Sequence, residues 1–139
     1  MSKLIYEVIE EAGKKKSKAE KIEYLKQNES WALKDILRGT YDDAVQWLVP
    51  EGAPPYTPNK EESTPSNLSR QNTQFRYLVD SPDARNILKA KRESIYIRLL
   101  ESIHPLDAKV VINMISKKSI KGITKTVVQE AYPGLIQKG

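Results

Sequence analysis

Apolar residues recur along this chain at spacings of three and four, and no stretch sustains the strict alternation of a half-buried strand. That pattern makes the chain all-α, with seven or eight helices. It is interrupted once, from Val49 to Asn72. There Pro50, Pro54, Pro55, Pro58 and Pro65 and the polar run SNLSRQN break any periodicity. The expectation is one long, Pro-rich irregular connection at about residues 49–72, of the length usually reserved for functional or mobile loops. Neither flank looks self-sufficient, and 139 residues suit one core better than two. Residues 1–139 are therefore read as a single domain.

Helix signals fill the two flanks. Leu4, Ile5, Val8 and Ile9 predict an amphipathic helix over residues 3–12, stopped by Gly13. Ser17 and Glu20 form a capping box for a second helix that turns Ile22 and Leu25 inward. Asn28 or Ser30 opens a third with Trp31, Leu33, Ile36 and Leu37, ending at Gly39. Thr40 caps another, packing Ala44, Val45, Trp47 and Leu48. Trp31 and Trp47, at helical spacing among leucines, read as core residues; the alternative is a platform for stacked bases.

Beyond the interruption, Thr73–Val79 reads as a short helix. Ser81 with Pro82 at the first position opens a longer one running to about Ser102. Its inner side carries Ile87, Leu88, Ile95, Leu99 and Leu100. Its outer side shows Arg85, Lys89 and Arg92 at i, i+4 and i+7, either a solvated face or a basic stripe. His104-Pro105 ends it, and Pro105 opens a helix with Leu106, Val110, Val111, Met114 and Ile115 inside.

The net charge of +5 and the pI of about 9.3 favour an acidic partner, nucleic acid first. Two stretches concentrate that charge. Lys14, Lys15, Lys16 and Lys18 follow the first helix, either as a solvated turn near a helix C-terminus or as a secondary phosphate contact. Lys117, Lys118, Lys121 and Lys125 place four cations within nine residues around a Gly-Ile-Thr turn. A helix starting near Thr124 would offer backbone N–H groups to a phosphate, and Gly122 would let the backbone come close.

Catalytic chemistry is scarce. There is no cysteine, which removes thiolate sites and disulfides and fits a reducing compartment. The one histidine, His104, precedes a proline at a helix start and reads as a cap or packing residue. No HExxH, GxxxxGK or GxSxG motif occurs, and the acidic pairs Asp42-Asp43 and Glu61-Glu62 read as helix-cap and loop charges. A non-enzymatic protein without cofactor or metal is expected. Acidic residues interrupt the N-terminal apolar stretch, which excludes a signal peptide, and no apolar run reaches a membrane span. A soluble, cytoplasmic protein is expected.

Met114 to Ile136, MISKKSIKGITKTVVQEAYPGLI, resembles the closing segment of the N-terminal DNA-binding domain of ATP-dependent DNA ligases, particularly the T-even bacteriophage type. Shared features are the basic residue with its apolar pair, Gly122 with Ile123 and Thr124, Thr126 and Val127 in the following helix, and the Tyr132-Pro133-Gly134-Leu135-Ile136 exit. Lys21 to Pro50 is more weakly similar to the early helices of the same domain, whereas Glu51–Asn72 has no counterpart. The resemblance departs at the chemistry. Ligases need a Lys-x-Asp-Gly nucleophile in a separate domain, and this chain has no Asp-Gly pair and ends where that domain would begin.

The resemblance thus implies a stand-alone phage DNA-binding domain of DNA metabolism. It would grip intact or nicked double-stranded DNA by its backbone across the minor groove, without sequence preference. The residues implied are Lys117, Lys118, Lys121, Gly122, Thr124, Lys125 and Thr126, with Arg85, Lys89 and Arg92 as a second group. The competing expectation is a protein-interaction module that kept the fold and lost the DNA site, acting on a replication or host protein.

Overall fold

Short polar side chains in extended backbone open four of the helices. The hydroxyls of Ser17, Ser30, Ser81 and Thr124 each accept from the N–H three residues on, at 3.1–3.2 Å. His104 Nδ1 accepts from the Leu106 N–H at 3.1 Å, and its ring stacks on Tyr6 with centroids 4.8 Å apart. A computed structural model describes residues 4–50, 52–58 and 68–136. Among these, eight α-helices occur: α1 (Ile5–Lys14), α2 (Lys18–Gln27), α3 (Trp31–Tyr41), α4 (Leu68–Gln71), α5 (Pro82–Arg85), α6 (Lys89–Ser102), α7 (Pro105–Ile115) and α8 (Lys125–Ala131). A 3-10 helix, Asn72–Tyr77, continues α4. The described residues contain no strand, only an isolated antiparallel bridge between Trp47 and Val79. None of their helices is long and apolar enough to cross a membrane.

One core joins these elements. α3 contributes Ala32, Leu33, Ile36 and Leu37, and packs on the Ala108, Val111, Met114 face of α7. α2 lies against α8, and the 132–136 exit closes over that pair. Tyr132 is buried and its hydroxyl donates to the Leu25 carbonyl, while Gly134 turns at φ 85° and Ile136 enters the core. The buried Asp107 carboxylate accepts from the Tyr6 N–H at 2.8 Å, tying α7 to α1.

Several boundaries differ from expectation, each for a packing reason. α1 runs through Gly13 to Lys14, and α3 through Gly39 to Tyr41, so neither glycine stops its helix. At Gly39 an added Cβ would lie 2.6 Å from the Trp47 ring and 2.7 Å from Met114 Sδ; the glycine makes room for both. Thr40 does not open a helix. It is buried inside α3, donating to the Ile36 carbonyl at 2.8 Å. Asp42 then turns the chain by accepting from the Ala44 N–H, and residues 46–48 pair with 78–80 through the Leu48–Leu78 and Asp80–Gln46 hydrogen bonds.

The expected helix from Pro82 to Ser102 is two helices. The carbonyl end of four-residue α5 is met by the Arg92 guanidinium, whose Nη2 donates to the Ala84 carbonyl at 2.8 Å. Leu88, expected inside, is 80% exposed in the break. Trp31, also expected inside, is 80% exposed, and only Trp47 packs against the core.

The irregular connection is shorter at its end than expected, since Leu68 is buried and already helical. Residues 52–58 are irregular and fold back: the Thr57 N–H donates to Glu101 Oε2 at 2.8 Å, and Gly52 to Ser116 Oγ at 3.1 Å. Lys3, Glu51 and the stretch 59–67, with Pro65, lie outside the described residues.

Candidate nucleic-acid interface

The α7–α8 turn begins at a helix end closed by an unusual residue. Lys117 sits at φ 56°, in the left-handed region where glycine is commonest. Its N–H donates to the Met114 carbonyl and that of Lys118 to the Asn113 carbonyl, both at 3.0 Å. A lysine is suited here because its ammonium donates to the Asp42 carbonyl at 2.8 Å, pinning α7 to the end of α3. Burial pulls the Lys117 pKa down, opposed by Asp42 and Asp43. Lys117 is a clasp whose charge points inward.

Tyr41 holds the middle of the turn. Its hydroxyl donates to the Ile123 carbonyl at 2.5 Å and accepts from the Ile120 N–H at 2.8 Å. Lys21, from α2, donates to the Gly122 carbonyl at 2.5 Å. Gly122 itself has φ 81°, and a Cβ there would stand 2.8 Å from the Gly13 Cα, with the Gly13 carbonyl nearer still. A Cβ on Gly13 would in turn meet the Lys121 carbonyl at 2.5 Å. Two backbones lie against each other because both residues are glycine. The close approach that Gly122 makes is to α1.

This contact joins two lysine runs that lie about a hundred positions apart, as the 101-residue separation of Lys21 and Gly122 illustrates. Lys14 and Lys16 on one side, and Lys118, Lys121 and Lys125 on the other, have exposed side chains. Lys14, Lys16, Lys118 and Lys121 form no ion pair with another described residue. Lys125 lies 3.8 Å from Asp43, which is almost fully exposed, so that pair is weak. Lys15 and Lys18 are engaged, with Glu11 and with Glu130. Thr124 uses its hydroxyl to cap α8, and Thr126 is exposed in the first turn of that helix.

The second expected group is not a stripe. The break between α5 and α6 takes Arg85 off the helix that carries Lys89 and Arg92. Arg85 pairs with Asp80 through two bonds, Nε to Oδ1 at 2.5 Å and Nη2 to Oδ2 at 2.8 Å. That bidentate contact raises the Arg85 pKa and lowers that of Asp80. Arg92 turns inward to Ala84, with its Nε buried and unpartnered among the described residues. Of the three, Lys89 alone presents its charge outward without a described partner.

Sequence reasoning read Lys14 and Lys16 either as a solvated turn or as a secondary phosphate contact, in both cases apart from the lysines around Gly122. The signal that could have joined them to Lys118 and Lys121 was a glycine beside each run, since paired glycines allow backbones to meet. The described residues contain no cluster of three or more acidic or histidine side chains arranged to hold a metal.

No curated protein matches the chain. Residues 8–121 match the model of DUF6433, described as a family of unknown function, and that span takes in both lysine runs as far as Lys121. The match covers most of the chain, and the protein belongs to the DUF6433 family.

Proposed function

We propose that this protein binds double-stranded DNA through the phosphate backbone, without sequence preference and without catalysing a reaction. The observation that carries the reading is the Gly13–Gly122 contact, which brings the backbones of the two lysine runs together with exposed lysines on either side of it. Lysines placed this way act as point charges toward phosphates, releasing counterions from the duplex, and they carry no base-reading geometry. The similarity of Met114–Ile136 to the closing segment of a ligase DNA-binding domain supports the same reading, and with it a role in phage DNA metabolism. Under it, Lys118, Lys121 and Lys125 contact phosphate directly with Lys14 and Lys16 beside them. Lys117, Gly122 and Thr124 shape the surface from beneath.

The test is a titration of labelled intact and nicked duplex at low salt, on the wild type and on Lys118→Glu with Lys125→Glu. The expected result is binding in the micromolar range or tighter, lost on the double reversal. Absence of micromolar binding, or binding indifferent to the reversal, overturns the proposal. In that event the reading as a protein-interaction module for a replication or host protein takes its place.

A further inference from the structure

Trp31 is the largest side chain that the core does not use. It occupies the first position of α3 and is 80% exposed, while its neighbours Ala32 and Leu33 are buried. With Asp35 and Arg38 it falls at i, i+4 and i+7, so the three share a face of the helix. That face lines a cleft of about 690 Å3, completed by Trp47 and Phe75 and, from the 3-10 helix, by Asn72 and Arg76. An apolar concavity with a few converging polar groups is what a ligand site requires.

The chemistry of the cleft is specific in three ways. Trp31 offers an open indole: the Lys34 ammonium lies 6.0 Å from its ring centroid and 5.6 Å from that of Tyr132. Those contacts restrain the ring without burying it. Trp47 and Phe75 form an edge-to-face pair with centroids 6.0 Å apart, and Trp47 Nε1 is held by the Gly39 carbonyl at 3.1 Å. Asp35 accepts from Asn72 Nδ2 at 2.8 Å, and burial pushes its carboxyl up. Hydrogen-bonding edges therefore stand at a fixed place beside the rings.

Two guanidinium groups frame this aromatic site. Arg38 and Arg76 are 50% and 62% exposed at the side chain, and their ion pairs with Asp42 and Asp83 are long, at 3.6 and 3.8 Å. The Arg76–Asp83 pair is exposed and weak, with Arg76 Nη2 also donating to the Tyr77 hydroxyl at 2.8 Å. Arg38 meets the buried Asp42 through one long Nε contact, which leaves its half-exposed guanidinium able to meet an anion as well. An aliphatic peptide side chain would fill the cleft without using these charges, and a cationic one would be repelled by them. A flat aromatic group carrying negative charge on either side uses every feature at once.

We infer that this cleft takes an unpaired base of single-stranded nucleic acid, stacked on Trp31, with the adjoining phosphates at Arg38 and Arg76. The site shares no residue with the lysine surface and does not depend on duplex binding.

The test is tryptophan fluorescence and anisotropy with a labelled oligothymidylate of about 8 nucleotides, within the span of one such site. It is run on the wild type, Trp31→Ala, and Lys118→Glu with Lys125→Glu; the exposure of Trp31 makes its truncation compatible with folding, which circular dichroism checks. The expected result is saturable quenching in the wild type and single-strand affinity reduced on the order of tenfold in Trp31→Ala, the loss of one stacked base. Unchanged affinity in Trp31→Ala overturns the inference. If single-strand binding survives Trp31→Ala but vanishes on lysine reversal, the lysine surface carries it; this inference falls and the duplex reading stands. Quenching by an acidic, aromatic peptide but not by the oligonucleotide assigns the cleft to protein and likewise overturns it.

Discussion

Arg85, Lys89 and Arg92 and the lysines around Gly122 look alike as sequence, since each is a basic group at regular spacing beside a helix. In the structure they do opposite things. Arg92 closes a short helix by reaching the Ala84 carbonyl, and Arg85 is matched tooth to tooth with Asp80. Around Gly122, one lysine faces inward and the others are displayed. Lys117 clasps Asp42, and the turn is otherwise held by Tyr41, Lys21 and a glycine–glycine contact. Because Lys117, Lys21, Tyr41 and the glycine backbones take that structural task, Lys118, Lys121, Lys14 and Lys16 are left with exposed charge. Basic residues mark an interface only where something else holds the fold.

The largest break in this comparison should come from Gly122→Ala. The substitution puts a Cβ at φ 81° and drives it into the backbone of Gly13. Left-handed strain and overpacking together should lower stability by about 3 kcal/mol, read by chemical denaturation. DNA affinity should fall with it, because the two lysine runs lose their shared frame. A variant as stable as the wild type would show that the glycine contact does not hold the surface together.

On the arginine side the expected effects are smaller and confined to stability. Arg92→Leu removes a charged donor from the Ala84 carbonyl and should cost about 2 kcal/mol. Arg85→Ala removes a largely exposed, bidentate pair and should lower the unfolding midpoint only slightly, less than Arg92→Leu does. Neither should alter duplex binding measured at equal folded fraction. A loss of affinity in either variant would put the arginines back into the interface and erase the distinction.

How much of this the sequence disclosed depends on how local the cause is. Helix class, the caps at Ser17, Ser30, Ser81 and Thr124, and proline starts at Pro82 and Pro105 were legible, because capping is settled within four residues. Gly13 and Gly39 misled for the complementary reason. A glycine read locally looks like a helix stop, yet these two are set by partners far along the chain, the Lys121–Gly122 backbone and the Trp47–Met114 pair. Trp31 was misplaced because hydrophobicity does not say which side of a helix a residue at its first position will take. For the candidate site, the sequence supplied the lysines but not which of them turn inward. Lys117 and Lys118 are adjacent and basic, and only the left-handed turn at Lys117 separates their roles.

The central claim is that two distant lysine runs act as one phosphate-binding surface, and the salt dependence of duplex binding measures it directly. Each phosphate contact adds about 0.9 to the slope of log K against log salt concentration. Lys16→Gln and Lys121→Gln, on opposite sides of the glycine contact, should each lower the slope by about one, and together by about two. Lys117→Gln should leave it unchanged at equal folded fraction, since its charge is directed at Asp42. A slope that responds to Lys121 but not to Lys16, or to neither, would contradict the account.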